Sequence, residues 1–167
     1  SEPLFSRDMP IYSFRGPGAR AGSRPDFMVF GTHLKSLRVG ELTEAEASRP
    51  EAEHADILAK KAQRTTDIRN EQIDAILKMI YYYEAIYGKD IPIFAAGDFN
   101  NDLRNAPEFK QLYEAGVREG FDVAPNSVPI DQRQTHVMVL NGKVHRAQLD
   151  GAALSSGAQQ PGILTSV

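Results

Sequence analysis

AAGDFNN, residues 95–101, decides how this chain is read. Ile91-Pro92-Ile93-Phe94 leads into it, short, apolar and rich in strand-forming residues. Asp102 and Leu103 follow, then Asn105-Ala106-Pro107, where Pro107 suits the first position of a helix. Gly97-Asp98-Phe99-Asn100 therefore belongs at the end of a buried strand, where the backbone leaves a sheet. Polar side chains on a loop held by a rigid scaffold are common active-site material. Asp98 is a proton acceptor or a ligand for a hard cation. Asn100 offers a neutral amide to a phosphate oxygen or a metal. Gly97 permits close backbone approach, and Phe99 anchors the loop in the core. The same four residues also read as a polar turn in which Asp and Asn do turn chemistry.

Upstream, residues 9–14 (MPIYSF) alternate as a strand does, and residues 15–24 form a Gly- and Arg-rich turn. Residues 26–34 (DFMVFGTHL) make a second strand with His33 near its end, followed by Lys35 and Ser36. An imidazole there is a partly buried hydrogen-bonding group or a proton carrier near neutral pH. Residues 37–50 are irregular and acidic, an insertion loop or a short helix. A long helix begins at Glu51. From Ile68 its apolar positions fall at Ile73, Ile76, Leu77, Ile80, Tyr83 and Tyr87, spacings of three and four that mark one buried face. Tyr81-Tyr82-Tyr83 reads as core plus flank at that spacing. Gly88 ends the helix, with Pro92 just beyond.

Residues 107–119 read as a shorter helix with Phe109, Leu112, Tyr113 and Val117 on its apolar side. Residues 121–133 read as a loop. Residues 135–140 and the chain from Lys143 form a hairpin about Asn141-Gly142. Asp150 then lies inside the mostly apolar run 148–155, where a carboxylate needs a partner, a metal or a bend.

Composition bounds the chemistry. The 167 residues suffice for one domain with a sizeable core. A net charge of −3 makes no global case for a polyanionic partner. With no Cys there is no disulfide, thiolate zinc site or cysteine nucleophile. No stretch is long enough for a membrane span.

Three separated signatures share one resemblance. FMVFGTHLKS (27–36) resembles the strand ending in HLKS of the endonuclease/exonuclease/phosphatase superfamily, the DNase I-like proteins. The helix with Arg69 and Gln72, followed by IPIFAAGDFN, resembles the next part. Thr135 and Leu149-Asp150-Gly151 resemble the late strand that carries an Asp. The similarity spans residues 4–155.

The resemblance implies an α/β (α+β) fold, a four-layer sandwich of two mixed β-sheets flanked by helices. It implies a Mg²⁺- or Mn²⁺-dependent hydrolase of phosphodiester bonds, with a phosphate-ester substrate and nucleic acid among the candidates. By position, Asp98 orients or deprotonates the attacking water or binds metal, and Asn100 holds a phosphate oxygen or metal. His33 bonds the phosphate or moves protons, Asp150 polarises a second His, and Lys35 and Arg69 join Asn100 in binding substrate. The four groups His33, Asp98, Asn100 and Asp150 should then converge within roughly 10 Å, as one metal–phosphate centre requires.

The family's early Asn and metal-binding Glu, and its terminal Ser-Asp-His segment, have no counterpart in the sequence. The expectation is a single incomplete domain over residues 1–167. It would leave a sheet face uncovered, to be met by the missing half or another copy of the chain. An inactive binding or assembly domain, and a phosphomonoesterase or lipid-head-group phosphatase, are alternatives on the same scaffold.

Overall fold

The architecture follows from one long helix laid across one mixed sheet. The structure, a computed structural model, describes residues 4, 8–123, 135–140, 143–160 and 163. Strands β1 (Ile11–Phe14), β2 (Phe27–His33), β3 (Ile93–Asp98), β4 (Arg118–Glu119) and β7 (Asp150–Leu154) form a five-stranded sheet in the order β1-β2-β3-β7-β4. β2 and β3 are parallel, and the other three pairings are antiparallel. β5 (His136–Leu140) and β6 (Lys143–Ala147) pair separately as a hairpin. The fold is thus mixed α/β.

Parallel neighbours need a crossover, which here contains the helices α1 (Glu44–Ala47) and α2 (Glu51–Tyr87). Thr43 caps α1 with a reciprocal Glu46 capping box. Pro50 precedes α2, and Glu51 and Glu53 occupy its first turn, where the helix dipole favours negative charge. Gly88, at φ 96°, ends it. At 37 residues, α2 is about 55 Å long and overruns the sheet. Its C-terminal half buries Ile73, Ile76, Leu77 and Ile80 against Met28, Phe30, Ile93 and Ala95 of β2 and β3. Each such aliphatic or aromatic burial contributes about 1.5–3 kcal/mol. Tyr83 packs on Phe30, whereas Tyr81 and Tyr82 are exposed. No helix among the described residues is long and apolar enough to cross a membrane.

Alternation puts the other residues of each strand on the opposite face. On β1 and β2 this face is open: Tyr12, Phe14 and Phe27 are exposed, with Phe14 stacked on Phe27 at 4.6 Å between ring centroids. Among the described residues, Tyr12, Phe14 and Phe27 thus form an exposed aromatic patch on the β1–β2 side of the sheet.

Two expectations change. The helix over 107–119 is a short 3₁₀ turn (Pro107–Phe109) and α3 (Lys110–Glu114). Gly116, at φ 85°, turns the chain so that Arg118 and Glu119 pair with Leu154 and Ala153. The loop over 121–133 begins inside α4 (Gly120–Val123), and 124–133 lie outside the described residues, as do Asn141 and Gly142. The Arg-rich turn over 15–24 sits at the amino end of β2. His33 is six residue rises away, roughly 20 Å. Arg24 pairs with Asp90 before β3, at 2.8 Å.

Candidate functional site

β2 and β3 run parallel with His33 opposite Asp98 as their last paired residues. β7 returns antiparallel with Asp150 opposite Asp98 as its first. The three side chains thus share one rung across three adjacent strands, and they project from the same face. His33 Nδ1 lies 3.8 Å from Asp98 Oδ2, beyond a hydrogen bond but within ion-pair range. Among the described residues, Asp98 is the carboxylate within ion-pair range of His33.

The alignment depends on glycine. Gly97 has φ 145°, and a Cβ on it would meet the Thr32 carbonyl oxygen at 2.1 Å. β3 can lie this close to β2 only without a side chain there. Gly151 faces Gly97 from β7.

Past the rung, the chain turns sharply. The Asp98 carboxylate accepts a hydrogen bond from the Asn100 backbone N–H at 2.7 Å, an Asx turn. Asn100 takes φ 52°, a conformation Asn tolerates better than most residues. Its amide Nδ2 donates to the Leu34 carbonyl at 2.8 Å, leaving one amide hydrogen and Oδ1 for other partners. Phe99 is fully buried and meets Phe109 edge-on at 5.8 Å. Its N–H donates to the Leu149 carbonyl, tying the turn to the approach to β7. Thr135 Oγ1 accepts the N–H groups of Leu149 and Asp150, both at 3.0 Å. His33, Asp98, Asn100 and Asp150 accordingly gather at one end of the sheet.

The two remaining expected residues divide. Lys35 is exposed, two residues past His33. Arg69 is not placed to meet a substrate: it is 1% exposed and all its hydrogen bonds go to protein groups. Its guanidinium donates to the carbonyls of Lys35 (2.5 Å) and Phe99 (3.0 Å) and to Glu108 Oε1 through Nη2 (2.8 Å) and Nε (3.2 Å). A buried guanidinium needs such partners, because its desolvation is otherwise uncompensated.

Glu108, Asn101 and Gln72 complete this network, and no motif in the sequence singles out Glu108 or Asn101. Asn101 Nδ2 donates to Glu108 Oε1 at 2.8 Å. Gln72 accepts from the Lys35 N–H at 2.9 Å and donates to the Leu4 carbonyl. One signal was available: Arg69 lies four residues before Ile73, on the apolar stripe of α2, where a cation demands a buried anion.

Burial pushes the Glu108 carboxyl up. The hydrogen bond from Asn101, one from its own backbone and the Arg69 guanidinium outweigh this and hold it below the ordinary value. A depressed folded pKa means that the stabilisation is present above the unfolded value, about 4.3, and is lost as pH falls through the folded one. Below about pH 4.5, the denaturation midpoint of the parent should therefore fall more steeply than that of Glu108→Gln. Parallel midpoint-against-pH curves in urea would count against this.

Asp98 and Asp150 face each other across an antiparallel pair, an arrangement that is destabilising for like charges. Among the described residues neither has a Lys or Arg ion-pair partner. A cation such as Mg²⁺ uses one or two carboxylates and keeps water and phosphate oxygens as its other ligands. Among the described residues no three His, Cys, Asp or Glu side chains form a group that could hold a metal ion.

No protein-family model matches the sequence, and no curated protein matches it.

Proposed function

We propose that this chain is part of a metal-dependent hydrolase of phosphodiester bonds, of the endonuclease/exonuclease/phosphatase superfamily. The observation that carries the reading is the single rung of His33, Asp98 and Asp150, with Asn100 turned back onto Asp98. Residues 33, 98 and 150 are far apart in sequence, and the family resemblance requires them to share one centre. In this reading the five-stranded sheet is one of two in a four-layer sandwich. The aromatic face at Tyr12, Phe14 and Phe27 takes the second sheet, from the rest of the domain or from another copy.

Asp98 orients water for in-line attack on phosphorus and accepts its proton. A bond forms from the water oxygen to phosphorus, and the bond to the leaving oxygen breaks. His33, in its protonated form, supplies the proton that the leaving oxygen needs. Asn100 gives its remaining amide hydrogen to a phosphate oxygen, and Lys35 adds positive charge beside it. Mg²⁺ or Mn²⁺ would be held by Asp98 and Asn100 and would neutralise charge on the phosphoryl oxygens. Asp150, across from Asp98, would polarise a second His.

The test is hydrolysis of bis(p-nitrophenyl) phosphate by the full-length protein with Mg²⁺ or Mn²⁺. The expected result is turnover that EDTA abolishes and added Mn²⁺ restores. Turnover insensitive to EDTA, or none on this or a nucleic-acid substrate, would overturn the reading.

A further inference from the structure

The sheet ladder between β2 and β3 stops where the site begins. Its last bond runs from the Leu34 N–H to the Asp98 carbonyl, at 2.9 Å. Beyond it the two strand exits, Leu34-Lys35 and Phe99-Asn100, have no further backbone ladder bond between them. Past the ladder, side-chain bonds set the separation of these exits, beginning with Asn100 Nδ2 to the Leu34 carbonyl at 2.8 Å. That separation governs how His33, on one exit, faces Asp98 and Asn100, on the other.

The structure places a rigid bridge there. From the buried face of α2, the Arg69 guanidinium holds the Lys35 carbonyl on one exit and the Phe99 carbonyl on the other. Further constraints converge on it. Glu108 fixes its third side with two bonds, and Asn101, adjacent to Asn100, holds the same Glu108 oxygen. Gln72, one turn along α2, accepts the Lys35 N–H, so both the N–H and the C=O of Lys35 are tied to the helix. The Arg69 guanidinium also sits 5.7 Å from the Phe109 ring centroid, and that ring packs on Phe99.

We propose that Arg69 is a positioning residue that couples the two strand exits and so fixes His33 against Asp98 and Asn100. It touches no reacting group. A planar fork with fixed donors suits the task, because it spans two carbonyls and a carboxylate at once, whereas a lysine ammonium is one point charge on a flexible stem. A misplacement of about 1 Å in such a centre costs about 10²-fold in rate. The proposal rests on the hydrolase reading for its consequence on rate, but the coupling of the exits is independent of it.

The experiment compares the parent with Arg69→Lys and with the double variant Arg69→Met/Glu108→Leu. The double variant removes both charges together, since apolar replacement of a complete buried pair is often tolerated where removal of one partner is not. Amide hydrogen exchange is read at Lys35 and Asn100, with Phe30 and Ala95 as sheet controls. Turnover is read with bis(p-nitrophenyl) phosphate and Mn²⁺. Expected are unchanged controls, exchange at Lys35 and Asn100 faster by about tenfold or more, and a kcat lower by about 10²-fold with KM nearly unchanged. Arg69→Lys should show the same local loosening, since charge without the fork does not bridge the exits. Unchanged exchange at Lys35 and Asn100 in Arg69→Lys would overturn the proposal, as would a loss of kcat only in proportion to unfolded protein. Should the double variant fail to fold, Arg69→Lys alone decides. A parent without hydrolytic activity sinks the hydrolase reading, while the exchange data still decide the coupling.

Discussion

Asp98→Asn should lower kcat by at least about 10², because removing a positioned base typically costs that much. The substitution is close to isosteric. The Asn side-chain carbonyl can still accept the Asn100 N–H that Asp98 accepts at 2.7 Å, so the Asx turn survives. The strand pairings with His33 and Asp150 involve backbone and also survive. What disappears is the proton acceptor and the negative charge 3.8 Å from His33 Nδ1. The repulsion across the rung from Asp150 also disappears, so the variant should be at least as stable as the parent. Loss of turnover with stability kept or raised is the signature of a functional carboxylate. The measurement is steady-state hydrolysis by the full-length protein beside a thermal melt. Parent-level, EDTA-sensitive turnover in Asp98→Asn would remove Asp98 from the mechanism.

Gly97→Ala is expected to cost about 4 kcal/mol or more, among the largest effects of single substitutions. Its Cβ would lie 2.1 Å from the Thr32 carbonyl oxygen, a backbone atom of the adjacent strand, and φ 145° is a conformation that side chains rarely adopt. Relief requires β2 and β3 to separate at the step just before the His33–Asp98 rung. Gly151→Ala is the natural control. It faces Gly97 from β7, but its added Cβ would meet nothing nearer than Leu103 Cδ2 at 3.6 Å, ordinary van der Waals contact. Denaturant unfolding should show Gly151→Ala within about 1 kcal/mol of the parent, the usual range for an unstrained change. Equal losses at the two positions would show that strand spacing at Gly97 is not the cause.

Local signals were enough for most of the elements. The spacing of Ile73, Ile76, Leu77 and Ile80 encodes the buried face of α2, and Gly88 encodes its end, because both depend only on helix geometry. The short apolar run before Gly97 encodes β3, and Phe99 reads correctly as a core anchor. Where a local pattern competed with pairing, pairing won. Phe109, Leu112, Tyr113 and Val117 have helical spacing, yet Gly116 turns the chain and Arg118-Glu119 joins β7.

The site divides in the same way. That Asp98 and Asn100 stand at a strand end could be read from GDFN, and that His33 stands at another from its own strand. That His33, Asp98 and Asp150 occupy one rung could not, because register between strands is set by packing against α2 and by the close approach that Gly97 permits. Arg69 shows the limit most plainly. The family resemblance gives it to the substrate, but its position on the apolar stripe of α2 turns it inward. There the demand that every buried charge be paired gives it to Glu108 and to two backbone carbonyls, partners that only the folded chain brings within reach.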